Sequence, residues 1–130
     1  MENIRVPVSP GELLDKITIL EIKSERITDP EKVANVRAEL ALLQETWASN
    51  IRDSKIIQDL HAKLKEINEA LWEIEDDIRD KERAREFDDR FIELARAVYV
   101  TNDRRSQVKK ELNLHLGSEI IEEKSYQDYS

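Results

Sequence analysis

The feature that most restricts this chain is an apolar seam in its middle. Ile57, Leu60, Leu64, Ile67, Leu71, Ile74 and Ile78 recur at alternating intervals of three and four residues. That rhythm puts all of them on one stripe of an α-helix and scatters them over both faces of a strand. A helix opening at Asp53 or Ser54 must bury the stripe against other helices, in a coiled-coil-like contact. Only 2 Gly and 3 Pro occur in 130 residues, with 39% hydrophobic and 38% charged residues, so little chain is left for loops. The expected fold is all-α: one antiparallel bundle of about four helices with a long helix-three/helix-four hairpin. It forms a single domain over residues 1–130, with residues 1–8 as an extended lead-in and 118–130 as an irregular tail.

Local signals place the helix ends. Ser9-Pro10-Gly11-Glu12 offers a capping hydroxyl, proline at the first helical position and glutamate at the third, which together start helix one. That helix carries Leu13, Ile17, Leu20 and Ile27 on one face, while Leu14, Ile19 and Ile22 widen the apolar area, so it faces more than one neighbour. Thr28-Asp29-Pro30-Glu31 repeats the start signal. Helix two then follows Val33, Val36, Leu40, Leu43 and Trp47, closing at Ser49-Asn50. Beyond Ile78 the seam meets Lys81 and Arg85 before Phe87, which makes 83–88 the candidate turn although no Gly or Pro marks it, the alternative being a single bent helix. Helix four carries Phe87, Phe91, Leu94, Val98, Thr101, Arg105, Val108, Leu112 and His115 and stops near Gly117. In the tail, Ile120 and Ile121 are candidate anchors beside residues 4–8.

The candidate site lies on helix four between Thr101 and Asn113. Thr101 and Arg105 fall on the inward stripe, Asn102 and Lys109 line the adjacent row, and Asn113 follows close behind. A buried guanidinium requires an acid or an anionic ligand, because an unpaired buried charge costs several kcal/mol. Helix one supplies Asp15 and Glu21, set among Lys16, Lys23 and Arg26, so one reading is an ion pair that fixes the register of two helices. The other is a small anion site in which Arg105 forks onto a carboxylate or phosphate, Lys109 adds a point charge, and Asn102 or Asn113 orients the ligand.

Other polar residues carry less. Glu66, Glu69, Glu73, Asp76, Asp77 and Asp80 include carboxylates three apart, as in helical metal sites, but the seam turns most of them to solvent, so no metal is expected. His61 and His115 lack a second histidine at ligand spacing; His115 either caps the last turn of helix four or faces the polar site. Trp47 reads as core, and Trp72, off the main seam, as cover for a neighbouring helix or a partner surface. A sequence without cysteine excludes disulfides, thiolate metal sites and cysteine nucleophiles. Phosphate loops, nucleophile elbows and zinc-protease motifs are missing too, so no cofactor is expected. The net charge of −8 argues against nucleic acid and anionic membranes, and no stretch approaches the roughly 18 apolar residues of a membrane span. The expected compartment is the cytoplasm.

Two end segments carry a resemblance. They are Val6-Pro7-Val8-Ser9-Pro10-Gly11-Glu12-Leu13-Leu14-Asp15-Lys16-Ile17-Thr18-Ile19-Leu20, and Asn102-Asp103-Arg104-Arg105-Ser106-Gln107-Val108-Lys109-Lys110-Glu111-Leu112-Asn113 with Glu122-Glu123-Lys124-Ser125-Tyr126. Over nearly the whole chain the sequence resembles a small bacterial all-helical family, a domain of unknown function. The resemblance implies no reaction, substrate or cofactor.

The function these residues favour is a non-enzymatic binding or interaction module. Its polar, basic site lies between helices one and four, where it takes a protein partner or a small anion at Arg105, Lys109, Asn102, Asn113, Asp15, Glu21 and Lys16. One alternative is a small enzyme acting on a phosphorylated or carboxylated molecule at the same place, with Arg105 and Lys109 as clamps and Asp15 or Glu21 as acid or base. The other is a homodimer formed through Ile19 and Ile22 on helix one.

Overall fold

The computed structural model describes residues 1–129; Ser130, the last residue of the expected tail, lies outside them. Among the described residues the chain is an all-α antiparallel bundle of four helices: α1 (Pro10–Arg26), α2 (Pro30–Asn50), α3 (Lys55–Ala84) and α4 (Asp89–His115). Each start follows its local chemistry. Ser9 Oγ accepts from Glu12 N at 3.2 Å, and Asp29 Oδ1 accepts from Glu31 N at 3.0 Å. Ser54 Oγ accepts from Ile57 N at 3.3 Å, and Asp88 Oδ1 from Phe91 N at 3.0 Å. A side-chain oxygen thus satisfies one of the N–H groups that every helix leaves unpaired at its start.

The unmarked turn closes at Arg85, which takes a left-handed conformation with φ 55°. Arg85 N donates to Glu82 O and Glu86 N to Lys81 O, the paired bonds of a Schellman motif. Gly117, at φ 65°, ends α4 by the same device: Gly117 N donates to Leu114 O and Ser118 N to Asn113 O. The α3–α4 turn is therefore a glycine-type helix stop built without glycine. α2 runs three residues beyond Trp47, because Ser49 and Asn50 bond back to carbonyls at Glu45 and Thr46 and stay in the helix.

α1 touches each of the other three helices, as its wide apolar surface requires, and α3 and α4 pair along the hairpin. The core gathers Leu14 of α1, Ile57, Leu60, Leu64 and Ile67 of α3, and Val108 and Leu112 of α4, with Trp47, Ile51 and Leu116 packed at its edge. The expected core position of Trp47 is thus a half-buried one. Farther along the hairpin Leu71, Ile74, Ile78, Phe91 and Val98 are half-buried and Leu94 is buried. Ile22 is buried and Ile19 half-buried, so the two do not form an open face. α2 packs along α1, and none of its residues is fully buried. Among the described residues no helix is long and apolar enough to cross a membrane.

Residues 1–8 have no regular structure, with Ile4, Val6 and Val8 exposed. Ile120 and Ile121 are exposed as well and do not anchor the tail. Charge holds it instead. Glu122 meets Lys109, Glu123 meets Lys110, and Lys124 meets Asp103, so the tail runs back along α4 toward its N-terminus.

Candidate functional site

The polar residues of α1 and α4 meet where these helices cross α3. Asp15, only 1% exposed, receives Arg105 in a two-pronged bond: Nε donates to Oδ1 at 2.8 Å and Nη2 donates to Oδ2. Asn68 of α3 closes the arrangement, its Nδ2 donating to Asp15 Oδ1 and to Thr18 Oγ1, each at 2.9 Å. Thr18 Oγ1 donates in turn to the Asp15 carbonyl at 2.8 Å. Three helices are thereby locked in register by one buried carboxylate. The hydrogen bonds from Arg105 to Asp15 hold its guanidinium pKa above the ordinary value, although burial acts to lower it.

One and two turns farther along α4 the pattern repeats with Lys109 and Asn113. Asn113, 1% exposed, accepts from Gly11 N at 2.7 Å, so a side chain of α4 caps the start of α1. This junction requires glycine. A Cβ on Gly11 would stand 2.6 Å from Lys109 O and 2.9 Å from Asn113 Oδ1. The Lys109 side chain is 10% exposed, and its Nζ donates to Glu12 Oε2 at 2.7 Å and Glu122 Oε2 at 3.1 Å. Burial presses the ammonium to lose its proton, but the two carboxylates prevail and its pKa rises above 10.5.

The residues singled out from the sequence therefore divide. Asp15, Arg105, Lys109 and Asn113 converge on the α1–α4 junction, with Asn102 at its edge, 3.4 Å from Arg105 Nη1 through its Oδ1. Glu21 and Lys16 stand apart. Glu21 Oε1 lies 2.7 Å from His61 Nε2 on α3, because six positions along a helix turn it away from Asp15, and Lys16 is exposed. His115 is exposed in the last turn of α4, and Trp72 lies half-buried under the Arg26 guanidinium, 5.9 Å from its ring. Of the six α3 acids singled out, Glu69 is half-buried and the others are exposed, and among the described residues no group of three or more His, Asp or Glu converges as metal ligands would.

Sequence reasoning missed Thr18, Asn68, Glu12 and Glu122 as members of the junction. Thr18 had left a signal, a hydroxyl on the apolar row between Leu14 and Ile22. Asn68 and Glu122 had none, since neither interrupts a periodic stripe. Among the described residues every buried side-chain nitrogen and oxygen has a hydrogen-bond partner. The depression beside Lys109, Asn113 and Glu122 leaves about 10 Å³, room for roughly one water. Chemically, the junction can hold a carboxylate against a nearly buried ammonium at its outer edge, and it does so with Glu122.

Together these define a helical bundle in which charge and amide bonds join α1 to α4 beside the apolar contact of Leu14 with the Val108 and Leu112 core. The chain belongs to the family of unknown function DUF6165, whose model matches residues 4–129. No curated protein and no solved structure matches it significantly.

Proposed function

We propose that the chain is a non-enzymatic interaction module that takes an acidic group of a protein partner at the Lys109 edge of the α1–α4 junction. One observation carries this reading: Lys109 is nearly buried, yet Glu122, one of its two carboxylates, comes from outside the bundle, from a tail with no regular structure. The junction thus holds a carboxylate that belongs to none of the four helices. Asp15 and Arg105 serve it as a rigid base, since their bonds fix the height at which Lys109 stands on α4.

The enzymatic alternative has less support. Asp15 is committed to Arg105 and Asn68, Glu21 faces His61, and the space beside Lys109 is far below the few hundred Å³ of a substrate pocket. The same reading sets the module in a bacterial cytoplasm, with the α3–α4 hairpin as an antiparallel coiled coil. Cysteine-free composition suits a reducing compartment.

The test is a titration of the isotope-labelled full chain with the capped dipeptide acetyl-Glu-Glu-amide, followed by amide chemical shifts. Saturable shifts at Lys109, Lys110 and Glu122 are expected, weakened by salt and lost in Lys109→Met. Shifts spread evenly over the surface lysines and unaltered in Lys109→Met would refute the reading.

A further inference from the structure

We infer that the outer face of α4 is a docking surface for one kind of partner: an extended acidic peptide of another protein, which displaces the chain's own tail. The inference rests on the reading of Lys109 given above and extends it from one carboxylate to a whole segment. The tail shows what the surface selects. In the C-terminal half of α4, the neighbours Lys109 and Lys110 take the consecutive carboxylates Glu122 and Glu123, at 3.1 and 3.5 Å. Asp103 takes the ammonium of Lys124 at 3.0 Å and a hydrogen bond from the Tyr129 hydroxyl. The Tyr129 ring meets Tyr99 edge-on, with centroids 5.1 Å apart. Two acids, then a base, then an aromatic hydroxyl is the order in which α4 offers two bases, an acid and an aromatic ring.

This seat is complementary but loosely held. Every residue from Glu119 to Tyr129 is exposed. The Glu122 and Glu123 side chains are open to water, and ion pairs between solvent-exposed groups contribute little. What keeps the tail in place is attachment: a segment tethered to the end of α4 competes at an effective concentration in the millimolar range. The turn that brings it back, after Gly117, is closed by two bonds of the Ser118 hydroxyl, to Ile120 O at 2.7 Å and from Ile120 N at 3.2 Å. A partner segment of the same charge order therefore needs only to outcompete the tether. No helix has to move, because the bundle core contains no tail residue.

Fluorescence anisotropy of a labelled peptide with the sequence Glu119–Tyr129 tests this on the 130-residue chain. The intact chain should bind it weakly, and the tail-reversed variant Glu122→Lys/Glu123→Lys about tenfold more tightly, since the tethered competitor is disabled. Asp103→Lys/Lys110→Glu, introduced into the tail-reversed chain at exposed or half-exposed positions, should abolish that binding. A peptide with Glu123→Lys and Lys124→Glu should then restore it. Equal affinity of the intact and tail-reversed chains would overturn the proposal, as would indifference to the charge swap. Dimerisation of the intact chain at micromolar concentration, abolished by reversing the tail, would also overturn it in favour of tail exchange between copies. The dipeptide titration on the tail-reversed chain separates the two levels. If Lys109 still responds to acetyl-Glu-Glu-amide while the longer peptide fails, the docking surface falls and the carboxylate site stands.

Discussion

Arg105 on α4 and Asp15 on α1, ninety residues apart in sequence, share a two-pronged ion pair whose carboxylate is almost completely buried and whose guanidinium keeps one edge toward solvent. That asymmetry decides how the pair responds to substitution. Arg105→Met strands the Asp15 carboxylate with Asn68 as its remaining side-chain donor, and a loss of about 3 kcal/mol in unfolding free energy is expected. The double variant Asp15→Leu/Arg105→Met should recover most of this loss, because an apolar pair of similar volume removes the desolvated charge. Urea denaturation of the three proteins checks it; a double variant less stable than Arg105→Met alone would contradict the account.

The two glycines should fail for different reasons when replaced by alanine. Gly11→Ala drives a methyl into the Lys109 carbonyl and the Asn113 side chain, and about 1–3 kcal/mol should be lost by overpacking. Gly117→Ala has open space around it but a φ of 65°, so its loss is about 1 kcal/mol and purely conformational. In Gly11→Ala alone, amide shifts around Lys109 and Asn113 should move as the helices separate.

Arg85→Gly should stabilise the protein. The left-handed conformation disfavours a side chain by about 1–2 kcal/mol, whereas glycine gives back roughly 0.4–1 kcal/mol through the freer unfolded chain. The difference predicts a gain near 0.5 kcal/mol and a higher thermal midpoint. An unchanged or lower midpoint would show that the Arg85 side chain makes a compensating contact.

Lys109 makes stability fall in alkali. Its folded pKa lies above 10.5, so its contribution is fully present below that value and is lost as pH rises through the folded pKa. Denaturation measured from neutral to strongly alkaline pH should show this decline, and Lys109→Met should remove that component of it.

Tail docking has its own pH window. The Tyr129 hydroxyl and the Lys124 ammonium hold the Asp103 carboxyl below its ordinary 3.8, so its share of docking is present above 3.8 and lost as pH falls through the lowered value. The same bond to Asp103, helped by desolvation, raises the Tyr129 hydroxyl above 10.0; that share is present below 10.0 and lost at higher pH. Contacts between the Tyr99 and Tyr129 rings, followed by nuclear Overhauser effects, should vanish at both extremes and survive between them. Persistence in strong acid would contradict the role given to Asp103.

Helix positions were legible because their causes are local. Ser9-Pro10, Asp29-Pro30 and Ser54 each place a side-chain oxygen next to the first free N–H groups, which needs no other part of the chain; Asp88 does the same for α4 but was not singled out, and Phe87, expected on that helix, lies before it. Arg85 was not legible as a helix stop, since a Schellman motif is normally signalled by glycine and here arginine takes that place. Arg105 could be assigned to the interior from its place on the heptad stripe, and Asp15 was one of two acids offered to it.

Choosing between Asp15 and Glu21 required the third helix. Both lie on α1, but the crossing with α3 sets Asn68 beside Asp15 and His61 beside Glu21, a matter of interhelical angle that no periodicity encodes. Sequence by itself thus determined which segments are helical, which stripe of each seeks cover, and that a cation would be turned inward on α4. Tertiary structure alone decided which acid answers that cation, and that a tail from beyond the bundle closes on Lys109. Capping and periodicity act over a few residues, whereas these pairings depend on how whole helices cross and where the chain returns.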